Sequence, residues 1–397
     1  MTDHTLHKMC PLLWKHVCIN TDGKLTPCCE ISSDTAMTPP LDSKKTLQEE
    51  YNSKEFKDLR RQMLSGEINS TCNKACYERE RNGYESKRLS EIKKFESKYG
   101  YAFTGEETVT ANVDDVVYLD IKPSNYCNSK CVMCNNSRSS QIALESKKHR
   151  NFKGPVIKGG WYTDNKHKLE PIYERVWRFK VNGGETSTMP ELETILESLS
   201  AAGSPDANLI LNINNTIDIT KFDHYLKNIN KIDIVCSIEG WGEPNSYIRY
   251  PADWDIVYKN LQIIHQYRLD NKNISIVFGI LVLSLNFLSF PYLIEKLNQE
   301  FPDNSYFIYH INQPAPLLVS GLTNKELNQG LKNLNEVMSR LPDRTNKKLQ
   351  DTLRFYKNSV KNGTDANVRT KLLNYIKHID TIRDINITDY IDIDLGG

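Results

Sequence analysis

"NYCNSKCVMCNN", residues 125–136, carries three thiols, Cys127, Cys131 and Cys134, within eight positions. A structural zinc site takes four protein ligands and a disulfide takes two. Three ligands leave one position of a metal centre open, which is the condition for chemistry at the metal. The plain alternatives are a zinc completed by a remote residue, or three buried, unliganded thiols. "VVYLDI" (116–121) just ahead reads as a strand, and "SRSSQIALESKKHR" (137–150) just after reads as a helix. The thiols therefore fall on a strand-to-helix loop.

The same alternation continues down the chain. Strands are predicted at "VWRFKVN" (176–182), "ANLILNIN" (207–214), "KIDIVCSIE" (231–239), "ISIVFGILVL" (274–283) and "SYFIYHI" (305–311). Helices are predicted at "PELETILESL" (190–199), "TKFDHYLKNI" (220–229), "DWDIVYKNLQIIHQY" (253–267) and "FPYLIEKLNQEF" (290–301). In the first of these, Leu192, Ile195, Leu196 and Leu199 recur at helical spacing behind Pro190. Six strands separated by helices predict an α/β fold with a parallel sheet. In such sheets the chemistry sits at the carboxyl ends of the strands. The cysteine triplet, "GGET" (183–186) and "CSIEGWGE" (236–243) all lie there.

Composition excludes several partners. The 397 residues hold 51 basic and 50 acidic side chains, a net charge of +1, with mean hydropathy −0.54. That balance gives no electrostatic case for nucleic acid or an anionic membrane. The longest mostly apolar run, "ISIVFGILVLSL" (274–285), is short of the ~20 residues a spanning helix needs. "MTDHTLHKMC" at the start has no basic-then-apolar signal pattern, so a cytoplasmic location is expected. In that reducing compartment ten cysteines read as ligands rather than disulfides. Nine of the ten fall in the first 134 residues.

The triplet and its strand context resemble the radical SAM superfamily, whose signature is a CxxxCxxC loop after the first strand of a partial barrel. The resemblance implies a partial parallel (β/α)6 barrel in which Cys127, Cys131 and Cys134 hold three irons of a 4Fe–4S cluster. The fourth iron then binds the amino and carboxylate groups of S-adenosylmethionine, which one electron cleaves to a 5′-deoxyadenosyl radical. Met133 stands where relatives often carry an aromatic residue. "NGGET" resembles the family's GGE motif, which implies that Gly183, Gly184 and Glu185 meet the methionine amine. The missing Cβ atoms would let a ligand close on the backbone, although Gly-Gly is also an ordinary turn. "IVCSIEGWGEPNSYIRY" (234–250) resembles the segment in peptide-modifying relatives whose serine, and an arginine twelve residues later, contact the cofactor. Ser237 and Arg249 have that separation. Asn212 and Asn214 share a strand face and read either as pocket lining or as a strand-end cap. Cys236 points away from Ser237 and reads as packing.

In the first ninety residues, Cys10 precedes Gly23 by thirteen positions and Cys28 follows it by five. "INTDGKLTP" (19–27) reads as a hairpin turning at Asp-Gly. "EEYNSKEFKDLRRQMLSGEI" (49–68) reads as a helix, and Cys72 and Cys76 follow it. This run resembles the SPASM/twitch class of auxiliary cluster domains, here placed ahead of the barrel. The resemblance implies a second, auxiliary 4Fe–4S cluster on Cys10, Cys28, Cys72 and Cys76. A four-thiolate zinc site is the competing reading. Cys29 is the alternative to Cys28, and Cys18, mid-strand, reads as packing.

Residues 151–172 interrupt the alternation and read as a lid over the barrel mouth or as a surface loop. His310 at the sixth strand end reads as a core or hydrogen-bonded histidine rather than a proton donor. After residue 320 the chain reads as helices that close the open side of the barrel. The expected organisation is an auxiliary iron–sulfur domain at 1–95, a radical SAM core at 112–320 and a helical extension at 321–397. The family resemblance further implies an electron donor such as flavodoxin or ferredoxin. The substrate is expected to be a peptide or protein side chain. The alternatives are a small metabolite, or a non-catalytic protein that keeps metal sites for structure.

Overall fold

The computed structural model describes residues 9–31, 38–149 and 152–393; most of the opening segment, through residue 8, lies outside them. Among the described residues eight strands form in chain order: β1 His16–Ile19, β2 Leu25–Thr26, β3 Tyr118–Ile121, β4 Arg178–Val181, β5 Asn208–Ile213, β6 Lys231–Ser237, β7 Ile274–Val282 and β8 Ser305–His310. Their order in the sheet is β2-β1-β3-β4-β5-β6-β7-β8. β1 runs parallel to β3, β3 to β4, β4 to β5 and β7 to β8, while β1 and β2 are antiparallel. The fold is therefore α/β on a mostly parallel sheet, as the alternation predicts. No helix among the described residues is long and apolar enough to cross a membrane.

The chain divides into two compact units. The first comprises residues 1–126, 157–211 and 222–232. In it the hairpin forms as read: Cys18 pairs with Thr26 and Ile19 with Leu25 around Gly23, whose φ of 75° suits glycine. The hairpin is not free-standing, however. β1 also pairs with β3, His16 opposite Tyr118 and Cys18 opposite Asp120. Pleating then gives the strands two unlike faces. Val17, Ile19, Leu119, Ile121, Phe179 and Val181 are buried on one. His16, Cys18, Tyr118, Asp120, Arg178 and Lys180 line up on the other. The predicted helix at 49–68 is two helices, Leu47–Tyr51 and Lys54–Leu64, the first opened by a capping box of Thr46 and Glu49.

Of the segment expected to be a lid or loop, the described residues 152–160 are irregular, as a loop would be, but 161–172 belong to a helix, Trp161–Tyr173. Trp161, Leu169, Ile172 and Tyr173 are buried, and the Trp161 indole N–H donates to the Lys122 carbonyl at 3.0 Å. An indole so anchored belongs to a fixed element, not to a gate.

The second unit comprises residues 127–156, 212–221 and 233–397. Its core joins Val132, Tyr247, Ile248, Leu283 and Leu285 to Leu372, Ile376 and Ile379 of the helix Ala366–Arg383. The same helix closes a buried ion pair, with Arg383 Nε and Nη2 on the Glu145 carboxylate at 3.1 and 3.0 Å. The C-terminal helices are therefore part of this unit's core and not a surface appendage. His310 stacks on Phe355, ring centroids 4.1 Å apart, and its Nε2 lies 3.4 Å from Thr352 Oγ1. It faces a helix, as its packing reading required. Truncating Leu372 to Ala removes a fully buried side chain from this core and is expected to cost about 2–5 kcal/mol. Urea unfolding checks this: the midpoint should fall with the slope unchanged.

Candidate functional site

In the second unit the cysteine loop is stitched to the segment that carries Arg249. The Lys130 N–H donates to the Tyr250 carbonyl at 2.6 Å, and the Val132 N–H to the Ile248 carbonyl at 2.9 Å. The two bonds bracket Cys131 on one side and Arg249 on the other. Arg249 Nη1 consequently lies 3.9 Å from the Cys131 sulfur. The same guanidinium is bidentate on buried Glu239, through Nε to Oε2 and through Nη2 to Oε1 at 3.0 Å. Glu239 is itself fixed, its N–H donating to Asn245 Oδ1 at 3.1 Å and its carbonyl accepting from Asn286 at 2.8 Å. The sequence spacing links Ser237 to Arg249 but does not pair Glu239 with Arg249. Their ten-residue separation across a turn was the only signal.

The remaining loop contacts are polar. The Cys127 N–H donates to Ser140 Oγ at 3.1 Å, and its sulfur accepts from the Ser129 N–H at 3.4 Å. Asn214 spends its amide on Asn128 Oδ1 at 2.8 Å and Ser129 Oγ at 2.9 Å, and its carbonyl oxygen caps Thr216. It therefore braces the cysteine loop from a strand end. Ser237 is half-buried at the end of β6, with its carbonyl accepting from Asn215 at 3.3 Å. Tyr375 donates its hydroxyl to the Val132 carbonyl at 2.6 Å. Burial pushes the Cys131 and Cys134 thiols up; Arg249 opposes this at Cys131, and Arg138 at Cys134. Both are thiols at neutral pH until a metal draws the proton away.

Gly183, Gly184 and Glu185 belong to the first unit. The space freed by the two glycines is taken by the chain's own backbone. A Cβ on Gly183 would overlap the Ser124 carbonyl oxygen, and one on Gly184 the Tyr126 carbonyl oxygen. The Gly184 and Glu185 N–H groups donate to those same carbonyls at 3.0 and 2.8 Å. The glycines thus let the two strand-end loops meet, where the sequence reading reserved the space for a ligand. The Glu185 side chain is 4% exposed, and its Oε1 accepts from the Ser187 N–H at 2.9 Å and hydroxyl at 2.6 Å.

The second cysteine set lies wholly in the first unit. Cys10, Cys28, Cys72 and Cys76 line one cavity, together with Leu12, Leu13, Ile31, Met63 and Arg88. Cys18 and Cys29 are not among its lining. Cys72 ends a short helix, and Cys76 sits on a π-helical turn, Asn73–Tyr77, so both side chains reach one side. The Cys10 N–H donates to Met63 Sδ at 3.2 Å. Burial pushes all four thiols up, Cys72 to about 11, and the like-charged neighbours add to the rise at Cys10 and Cys28. Four sulfur donors around one apolar cavity fit a metal centre and fit little else.

Gly184→Ala sets a methyl group against a backbone oxygen that two hydrogen-bonded loops hold in place. A melting temperature lower by several degrees is expected from a loss of about 2 kcal/mol or more. Gly66→Ala, with nothing within 4 Å of the added carbon, should shift it far less.

No family model and no curated protein matches the chain. Solved structures similar to it include Streptococcus suis SuiB bound to S-adenosylmethionine, 14% identical with TM-score 0.34, over 56% of this chain and 45% of that one. Another is anSMEcpe with bound AdoMet and the Cp18Cys peptide, 18% identical with TM-score 0.35, over 54% and 57%. A third is SuiB bound to its precursor peptide SuiA, 11% identical with TM-score 0.37, over 70% and 62%. The chain spans about half the length of the first two, 45% and 57%.

Proposed function

We propose that this chain is a radical S-adenosylmethionine enzyme. The observation that carries the reading is the loop of Cys127, Cys131 and Cys134 directly after β3, with Arg249 pinned opposite Cys131. Three thiolates hold three irons of a 4Fe–4S cluster and leave one for the cofactor. When bound and reduced, the cluster and S-adenosylmethionine supply one-electron cleavage of a sulfonium and hydrogen-atom abstraction from carbon. The chain's own contribution is positional. The Lys130 and Val132 amide bonds fix the loop, and Arg249 keeps a cation beside the Cys131 sulfur. Ser237, Asn214 and Arg249 are proposed cofactor contacts, as are Gly183, Gly184 and Glu185. Cys10, Cys28, Cys72 and Cys76 hold an auxiliary 4Fe–4S cluster in this reading, supported by the single cavity they line. A flavodoxin or ferredoxin supplies the electron.

The substrate in this reading is a peptide or protein side chain. Phe307 and Tyr309 favour it: they share a face of β8, the last strand of the sheet, and stand 47% and 55% exposed. Exposed aromatic rings beside an edge strand suit an extended chain. A small metabolite would leave them uncovered.

Anaerobic reconstitution is expected to give about eight irons per chain. Replacing Cys127, Cys131 and Cys134 together by Ala should remove about half of them and abolish formation of 5′-deoxyadenosine. A chain that holds zinc alone, with no product formed, overturns the reading in favour of a structural metal protein. Arg249→Ala should weaken S-adenosylmethionine binding while the iron content holds.

The substrate reading has its own check. With a candidate peptide deuterated at its side-chain carbons, the label should appear in 5′-deoxyadenosine. Phe307→Ala and Tyr309→Ala should raise KM for that peptide. Efficient transfer from a labelled metabolite and none from peptides would move the function to small-molecule chemistry.

A further inference from the structure

The side of the sheet that carries His16, Cys18 and Asp120 holds a feature that neither cysteine set uses. His16 and Cys18 are two residues apart on β1 and so share a face. Asp120 stands opposite Cys18 in the β1–β3 register. One ligand atom from each of the three lies within 4.8 Å of the others, and the residues are 2%, 1% and 0% exposed. The second polar atom of two of them is already engaged. His16 Nδ1 faces the Pro27 carbonyl at 3.3 Å, and Asp120 Oδ1 accepts from the Asn182 amide at 2.9 Å. That leaves His16 Nε2 and Asp120 Oδ2, both buried and both without a hydrogen-bond partner among the described residues.

Two buried polar atoms without a partner, on residues whose ligand atoms converge, leave a desolvation cost unmet. Both are lone pairs, so a water can donate to both, and a cation satisfies both with the sulfur as well. The outer partners are of the type that orients metal ligands: a carbonyl on the far imidazole nitrogen fixes the tautomer that presents Nε2, and an amide on the far carboxylate oxygen turns Oδ2 inward. Imidazole, thiolate and carboxylate together are a borderline-soft donor set that suits zinc. Thiolate and carboxylate neutralise a dication; Lys122, with Nζ 3.7 Å from the Cys18 sulfur, opposes only part of the burial that favours the neutral thiol there.

We propose that His16, Cys18 and Asp120 form a mononuclear zinc site with one coordination position open, separate from both cysteine sets. The site does not depend on the radical SAM reading, because none of its ligands belongs to either proposed cluster.

The test uses protein with its iron already incorporated, stripped of loosely held metal and then equilibrated with Zn²⁺ alone. One zinc per chain is expected with the iron count unchanged. Anomalous scattering at the zinc edge should place it between β1 and β3. His16→Gln and Asp120→Asn should each weaken zinc retention by about 10-fold or more, with iron and circular dichroism retained. Zinc taken up only as iron is lost, zinc scattering elsewhere, no uptake, or retention untouched by both variants would each overturn the site. The scattering measurement on unaltered protein decides the matter even where a variant fails to fold.

Discussion

The pair of amide bonds that brackets Cys131 and Arg249 is the constraint on which the second unit's chemistry rests. Lys130 and Val132 donate to Tyr250 and Ile248, so the residue between each pair is forced to face the other. The guanidinium is then shared between a buried carboxylate and the sulfur of a half-buried cysteine. Its charge cannot be left out without stranding Glu239, and an unpaired buried carboxylate costs about 3–5 kcal/mol. Lysine is no substitute, because one ammonium cannot be bidentate on Glu239 and also reach Cys131. The helix Ala366–Arg383 extends the same logic. Tyr375 holds the Val132 carbonyl and Arg383 holds Glu145, so the C-terminal segment fixes the cysteine loop from behind.

Much of this was legible in the sequence, and what was not has physical reasons. The strand at 231–239 ends at Ser237, and the one at 274–283 ends at Val282; period and breakers set both. The helix Trp161–Tyr173 was hidden by Pro171 inside it and the glycines before it, both of which read as breakers. The predicted helix at 220–229 is a 3-10 turn followed by one helical turn, Asp223–Leu226, too short for periodicity to report. The hairpin was local and visible. Its parallel pairing with β3 was not, because strand partners far apart in sequence leave no local mark. For the same reason the cysteines could be counted, but His16 and Asp120 could not be brought together. Cys28 and Cys29 are adjacent in the chain, and only the fold shows that Cys28 lines the cavity with Cys10, Cys72 and Cys76.

The two cysteine sets share an electrostatic problem. Burial favours the neutral thiol at Cys131 and Cys134 as it does at Cys10, Cys28, Cys72 and Cys76. Arg249, Arg138 and Arg88 are too few to hold so many thiolates by charge alone. The groups are therefore either small hydrophobes or metal ligands. Small hydrophobes pack to interior density and leave no room among themselves. The four sulfurs of the first unit instead surround an open cavity, walled by Leu12, Leu13, Ile31 and Met63. That is a poor core and a good socket.

The sheet's two faces separate the scaffold reading from the catalytic one. A parallel sheet covered on both sides should read as nearly continuous apolar residues. One face of the first unit obeys this, with Leu119, Ile121, Phe179 and Val181 fully buried. The other carries His16, Cys18, Asp120, Arg178 and Lys180 in register. Part of it is neutralised internally: Arg178 pairs with Glu91, which also holds Lys87 and Lys94. A protein that used its metals only as staples would gain stability by filling this face with aliphatic side chains, since buried ion pairs at best break even against them. The polar face is a cost that stability does not explain. Holding charge against a bound molecule does explain it, and this favours the proposed catalytic reading over the structural one.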